Sequence, residues 1–295
     1  LRFFRDLLLL LIGIVIICNL PNLLIDKGLP TFNVSNFLSS IGDFFIKIQN
    51  PSDITYLRFI NYYKQVESLM FPEIWERLAY SLTILSSSIM LAITISILSA
   101  YIYYIGEGKL QRVIRWISLA LNSVPDVMMI ICIQLLFIAI AKQFKVMPFT
   151  IITFNENKAY FLPILCLTIL PTVQLFQMVL TFIESEADKT YVEFAKAKGL
   201  SKTYIFFVHM TRNIAIHLIH QSKIIFLFLI SNLFILENLF NIYGIMRFVS
   251  NVSINIHHFD STPLIVSISL LLLPFYMLMS GLKSWVNWIT KRTVN

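Results

Sequence analysis

Thr190-Tyr-Val-Glu-Phe-Ala-Lys-Ala-Lys-Gly-Leu-Ser-Lys202 is a charged, helix-forming stretch set between two long apolar runs. Within it and just before it, Ala187, Tyr191, Phe194 and Ala195 recur at spacings of three and four, which places them on one helical face. Lys189, Glu193 and Lys196 fall on the opposite face. The expected helix covers residues 184–198. Gly199 then offers a left-handed position at little steric cost. Ser201 is placed to cap a second helix through its hydroxyl oxygen, and Leu200 and Ile205 to staple it. The stretch therefore reads as helix, glycine, serine-capped helix: a stiff elbow leading into an apolar run.

The surroundings set the class. Hydrophobic residues make up 57% of the 295-residue chain and charged residues 13%, about half the ~25% that soluble domains carry. Mean hydropathy is +0.77. Six runs approach the ~20 apolar residues that a spanning helix needs: 7–25, 78–105, 113–141, 160–183, 223–240 and 263–282. The fold class expected is an all-α polytopic membrane protein, with the charged loop between the fourth and fifth spans. Asn19-Leu-Pro-Asn22 is not a small-residue cleavage site, so the first run is expected to be a retained anchor rather than a signal peptide. The division expected is an anchor at 1–25, an extracytoplasmic loop at 26–77, and a core at 78–295 carrying the charged loop at 184–212.

The formal charge of +7 does not point to nucleic acid, because the basic residues lie between apolar runs without interleaved aromatics. They serve orientation instead. With the N-terminus inside, the inner segments hold thirteen Lys and Arg against nine outside. The outer ones lie mostly in the long 26–77 loop, which carries little topological weight. Both termini are therefore expected in the cytoplasm. In the outer loop, Phe32, Phe37, Phe44, Phe45 and Tyr56 suggest packing on the membrane domain or a partner, and Pro72-Glu-Ile-Trp-Glu76 a helix start. Cys18, Cys132 and Cys166 each sit in an apolar run, without metal-ligand spacing or a disulfide framework.

An amphipathic helix on the inner leaflet would explain the lysines and aromatics of the loop. It does not explain four acids, Glu184, Glu186, Asp188 and Glu193, beside an anionic lipid surface. A protein partner suits them better. Gly199-Leu-Ser-Lys-Thr203 has no second glycine before its lysine and no strand leading into it, so it is not read as a phosphate loop.

Tyr191, Val192, Ala195, Ala197, Lys198, Gly199, Leu200 and Ser201 stand where the EAA loop of ABC importer permeases has its pattern, and Arg212-Asn213 follows at the family spacing. The chain resembles the peptide/nickel branch of that family. Ile74-Trp-Glu-Arg-Leu78, Arg112 to Pro125, Leu162 to Pro171, and Glu237-Asn-Leu-Phe240 with Gly244 resemble its later spans. His217 stands at the family's proline, Ile242 to Met246 at its Trp-Pro-Gly-Leu-Gly, and Thr190 at its aspartate.

The resemblance implies a type I importer permease in a bacterial inner membrane. It would form half of a pore with a second permease, usually as a heterodimer, over two cytoplasmic ATPases, and would be fed by an extracytoplasmic solute-binding protein. The chain itself would be no enzyme and would hold no cofactor, since ATP and magnesium would sit in the ATPases. Tyr191, Glu193, Ala195, Ala197, Lys198, Gly199, Leu200 and Ser201 would couple to an ATPase. Peptides are the expected cargo, with nickel or a metal chelate as the alternative within the family. An ion-coupled secondary transporter is the alternative from another class.

Some polar residues fall inside the spans. Asp126 lies about twelve residues into the expected third span, a depth where a carboxylate faces a cavity or a partner. Gln134, Gln174, Gln177, Asn232 and Glu237 are further candidates for the pore or the partner interface, or for hydrogen bonds between helices. His217 and His220 share a helix face, and His257 and His258 lie in an outer loop. A metal site usually needs a third strong ligand.

Overall fold

A computed structural model describes residues 2–26, 29–30, 32–61, 64–144, 153, 157–253 and 259–294. His257 and His258 lie outside them. Among the described residues six helices are long and apolar enough to cross a membrane: Phe3–Leu24, Glu73–Ile105, Asp126–Phe144, Phe161–Ala187, Lys202–Leu239 and Ser261–Ser284. Helices dominate because lipid offers no partner to backbone N–H and C=O groups, and a helix satisfies them within itself. The chain forms two compact units, residues 1–82 with 243–280, and residues 83–242 with 281–295.

The first unit contains α1 (Arg2–Leu24), α2 (Val34–Lys47), two strand pairs and α10 (Ile245–Ser253). Two-residue strands β1 (Ile25–Asp26) and β2 (Leu29–Pro30) pair antiparallel after α1. Asn33 caps α2, its side-chain oxygen accepting from the Asn36 N–H at 3.1 Å, and its own N–H donates to Leu23 O at 2.9 Å. Strands β3 (Thr55–Asn61) and β4 (Lys64–Leu69) form an antiparallel pair with an irregularity between Phe59 and Asn61. Part of the outer segment is thus a strand pair within a mostly helical chain, and of its expected packing aromatics Phe44 and Tyr56 are buried whereas Phe32 and Phe45 are exposed. The buried Tyr56 lies edge-on to Phe248, with centroids 4.7 Å apart, and donates to Glu73. Arg77 also holds Glu73 and lies over the Phe248 ring.

Helix α3 (Glu73–Ile105) starts directly after Pro72, and α11 (Ser261–Val294) closes the chain. Near the start of α11, Lys47 pairs with Asp260 at 2.5 Å. The fully buried Asn19 of α1 donates to Val15 O at 2.8 Å and accepts from Ser261 Oγ at 2.7 Å.

In the second unit α6 (Phe161–Ala187) is the central helix, and over half of its apolar stretch is buried. The later part of α3, α4 (Lys109–Asn122), α5 (Asp126–Phe144) and α9 (Thr211–Leu239) also belong to it. Ser88 donates to Ile164 O at 3.2 Å, fixing α3 on α6.

Two expectations need correction. The third run, 113–141, is not one helix. It divides at Ser123–Pro125 into α4 and α5, because proline disfavours helical backbone at the residue before it and lacks the N–H that would continue the ladder. Asp126 therefore opens α5 instead of lying twelve residues inside a span. The fifth run begins much earlier than expected. α8 (Lys202–Tyr204), a π-helical turn at Ile205–Met210 and α9 follow without a break, 38 residues in all.

The Asn19–Ser261 hydrogen bond lies between apolar helices, where such bonds contribute about 0.6 kcal/mol on average and up to about 1.7. Asn19→Ala and Ser261→Ala should each lower unfolding free energy in detergent by that order, and the double variant should lose no more than the larger single loss.

Candidate functional site

The charged loop folds as an elbow within the second unit. Helix α7 (Thr190–Ala197) is separate from α6. The continuous helix expected over 184–198 breaks at Asp188–Lys189, where Lys189 is extended (φ −78°, ψ 144°). A straight continuation of α6 would carry Val192 and Ala195 away along its axis. The break instead turns them onto a buried cluster with Ile183 and Leu180 of α6, Ile205, Phe206 and Met210 of the π turn, Ile214 of α9 and Ala100 of α3.

The helix stops as expected. Gly199 adopts φ +76°. Its N–H donates to Lys196 O at 2.9 Å, and the Leu200 N–H to Ala195 O at 3.2 Å. Together these bonds form a Schellman motif. Ser201 restarts the chain, its Oγ accepting from the Tyr204 N–H at 3.3 Å. The turn that follows is wide: the Thr211 backbone N–H donates to Phe206 O, five residues back, and Thr211 Oγ1 donates to the same carbonyl at 2.8 Å. The end of α3 packs on it. Tyr101 lies 5.4 Å from Phe206 and 4.9 Å from Phe207, and its hydroxyl meets Thr203 Oγ1 at 2.9 Å. Lys202 holds Glu107, in the α3–α4 turn, at 2.8 Å. That hydrogen bond keeps the exposed Glu107 carboxyl below its ordinary range.

Phe194 corrects the face assignment. The buried stripe of α7 is Val192 and Ala195, with Tyr191 half-buried, whereas Phe194 is 61% exposed. Helical geometry explains the difference. The buried arc centres between Val192 and Ala195, so Phe194 lies beyond its edge. The Lys198 ammonium sits 4.4 Å from the centre of its ring. Glu193, Lys196, Ala197, Lys198 and Leu200 are exposed with it. The outward face is thus an aromatic ring among charges of both signs.

The inward side holds Glu186, a residue that the sequence reading counted only among four acids. It lies in the last turn of α6 and is fully buried. Lys189 and Tyr191 donate to its carboxylate. Asn213 Nδ2 donates to the same carboxylate at 3.0 Å and to the Tyr191 hydroxyl at 3.2 Å. Burial first, and then its bond to Glu186, pushes the Tyr191 phenol up to about 12. Tyr191 therefore remains a donor throughout the physiological range. On the outer side of α6, Glu184 pairs with Arg115 of α4 at 2.9 Å.

The polar residues of the spans are distributed unevenly. Asp126 is half-buried and accepts from Asn232 Nδ2 at 3.3 Å, joining α5 to α9. Asn232 is buried and also donates to Phe228 O at 3.0 Å. Gln177 reaches Ser118 of α4, its Nε2 lying 3.3 Å from the hydroxyl and 3.4 Å from the carbonyl. Gln134 and Gln174 are half-buried, and Glu237 is fully buried with its carbonyl accepting from the Ile242 N–H at 2.9 Å. These residues do not converge on one centre with the loop. The His217 ring stacks on Phe182 at 4.8 Å, and the exposed His220 meets Ile216 O. Among the described residues no three His, Cys, Asp or Glu groups gather as metal ligands would.

Residues 92–288 match the family model of the binding-protein-dependent transport system inner membrane component. The match takes in α4 to α10, the elbow and the Asp126–Asn232 pair, about two thirds of the chain. No curated protein matches. With six helices among the described residues long and apolar enough to span and this family match, the chain belongs to that family and is a multi-pass inner-membrane permease of an ABC importer.

Proposed function

We propose that α7 docks on a cytoplasmic ATPase and that the chain forms half of a translocation pore for peptides, paired with a different permease. The carrying observation is the exposed Phe194 on a helix whose opposite face is buried. A ring left in water amid Glu193, Lys196 and Lys198 costs solvation that a receiving pocket would recover. Interface anchors are commonly aromatic side chains entering such pockets. The Schellman stop and the Ser201 cap hold the angle between α7 and the helix that follows, so a displaced α7 would move that helix with it. In this reading the loop side is cytoplasmic and both termini would lie there as well, in keeping with the lysine and arginine distribution.

Peptide cargo is supported by the loop motif, closest to the peptide/nickel branch, and by the amide side chains of Gln134 and Gln174 within spans. Cys166 and His217 are taken up in packing. Asp126, tied to Asn232, is assigned to the path or to the seam with the second permease, where a half-buried carboxylate has polar company. Uptake of a labelled tripeptide and of nickel, in cells with and without this chain, tests the cargo. Tripeptide uptake that depends on the chain supports the reading, whereas dependence confined to nickel overturns it.

The docking face carries its own expectations. Phe194→Ala should weaken ATPase co-purification at least tenfold, in keeping with the ~2 kcal/mol loss typical of an anchor residue. Gly199→Pro removes both the left-handed backbone and the N–H bonded to Lys196, and Glu193→Lys inverts a docking charge. Each should abolish uptake while the amount of protein in the membrane stays at wild-type level on immunoblots. Asp126→Leu should abolish uptake and leave the complex assembled, as judged by size-exclusion chromatography.

A further inference from the structure

We propose that the buried Glu186 carboxylate is the joint that fastens α7 to the fourth and fifth spans, and that force on α7 reaches those spans through it. The inference rests on the docking reading above and concerns the inward side of the same elbow. Its members are positioning residues, and none touches cargo or nucleotide.

Glu186 is in an unfavourable place for a carboxylate. It is fully buried, and it lies at the end of α6 where the helix dipole is negative. A buried charge persists only where donors compensate for lost water. Here three do, and they come from different parts of the chain: Lys189 from the break, Tyr191 from the first turn of α7, and Asn213 from the start of α9. The Asn213–Tyr191 contact closes the network into a ring.

The rest of the α7 attachment is of a different kind. Val192 and Ala195 make apolar contacts, which are non-directional. On such contacts alone an eight-residue helix could rock or slide. The hydrogen bonds are directional and fix its position relative to both spans. They also act together, since withdrawing one donor leaves a buried charge short of compensation. A joint of this kind transmits a displacement or breaks. It does not absorb the displacement by gradual yielding.

The test uses the full complex of this chain, its partner permease and both ATPases in lipid nanodiscs. ATP hydrolysis is measured with and without the solute-binding protein, purified with its cell-derived cargo. Stimulation by that protein must cross the spans to reach the ATPases, so it reads transmission directly. In Glu186→Gln the amide N–H₂ faces donors in place of acceptors. The expected result is an assembled complex with basal hydrolysis within about twofold of wild type and stimulation reduced about tenfold. Tyr191→Phe keeps the ring and removes one hydrogen bond, so stimulation should fall about fivefold with assembly intact. Full stimulation in both variants overturns the joint. So does loss of assembly in Glu186→Gln together with full stimulation in Tyr191→Phe, which would assign Glu186 to stability alone. A Phe194→Ala complex that holds its ATPases as tightly as wild type overturns the docking face instead, so the two failures are told apart.

Discussion

A carboxylate buried at the negative end of a helix must be met by hydrogen-bond donors, and much of the elbow is arranged to meet Glu186. α6 has to stop one residue later so that Lys189 can turn back. α7 has to begin where Tyr191 can point inward. The helix of the fifth span has to bring Asn213 to the same point, twenty-two residues further on. The desolvation of one charge thereby constrains three helices, where burial of apolar surface alone would have permitted many relative positions.

The irregular backbone of the second unit shows the same economy. In lipid, a helix may break only where other groups satisfy the freed N–H and C=O. Each interruption near the elbow has such a partner. Gly199 and Leu200 donate back into the last turn of α7, Ser201 caps the restart, and Thr211 bonds a carbonyl of the π turn. The elbow is therefore rigid through its hydrogen bonds, although it consists of short pieces. Rigidity of that kind suits an element of an ABC importer that would link a soluble motor to spans. The ion-coupled alternative would have needed its polar groups gathered around broken helices in mid-membrane. Among the described residues the polar groups are instead concentrated at the elbow and spread over separate contacts such as Asp126–Asn232, Gln177–Ser118 and Asn19–Ser261.

Much of this was legible along the chain. Apolar runs of sufficient length gave six spans, because the backbone demand of lipid leaves a long apolar segment little choice but helix. Gly199 and Ser201 were readable because a left-handed stop and a side-chain cap depend on residues a few positions apart. Phe194 was misplaced because periodicity gives an arc of residues and not its centre. The buried stripe needed only Val192 and Ala195 from α7. Asp126 was placed too deep because Pro125 could equally have bent a continuous span or divided it. The π turn left no signal, since the residues that Phe206 packs on there, Tyr101 and Tyr104 of α3, are remote in sequence.

Local chemistry thus determined the membrane class, the number of spans, the stop at Gly199, the restart at Ser201 and the likeness to importer permeases, all from interactions between near neighbours in sequence. Tertiary structure alone decided which of four acids would be buried, which side of α7 would face outward, and which group would meet Asp126 once Pro125 had divided the third run. Those outcomes depend on groups far apart in the chain, such as Glu186 with Asn213 and Asp126 with Asn232. The energy of burying a charge or an aromatic ring is fixed only when the distant surface that covers it, or leaves it in water, is in place.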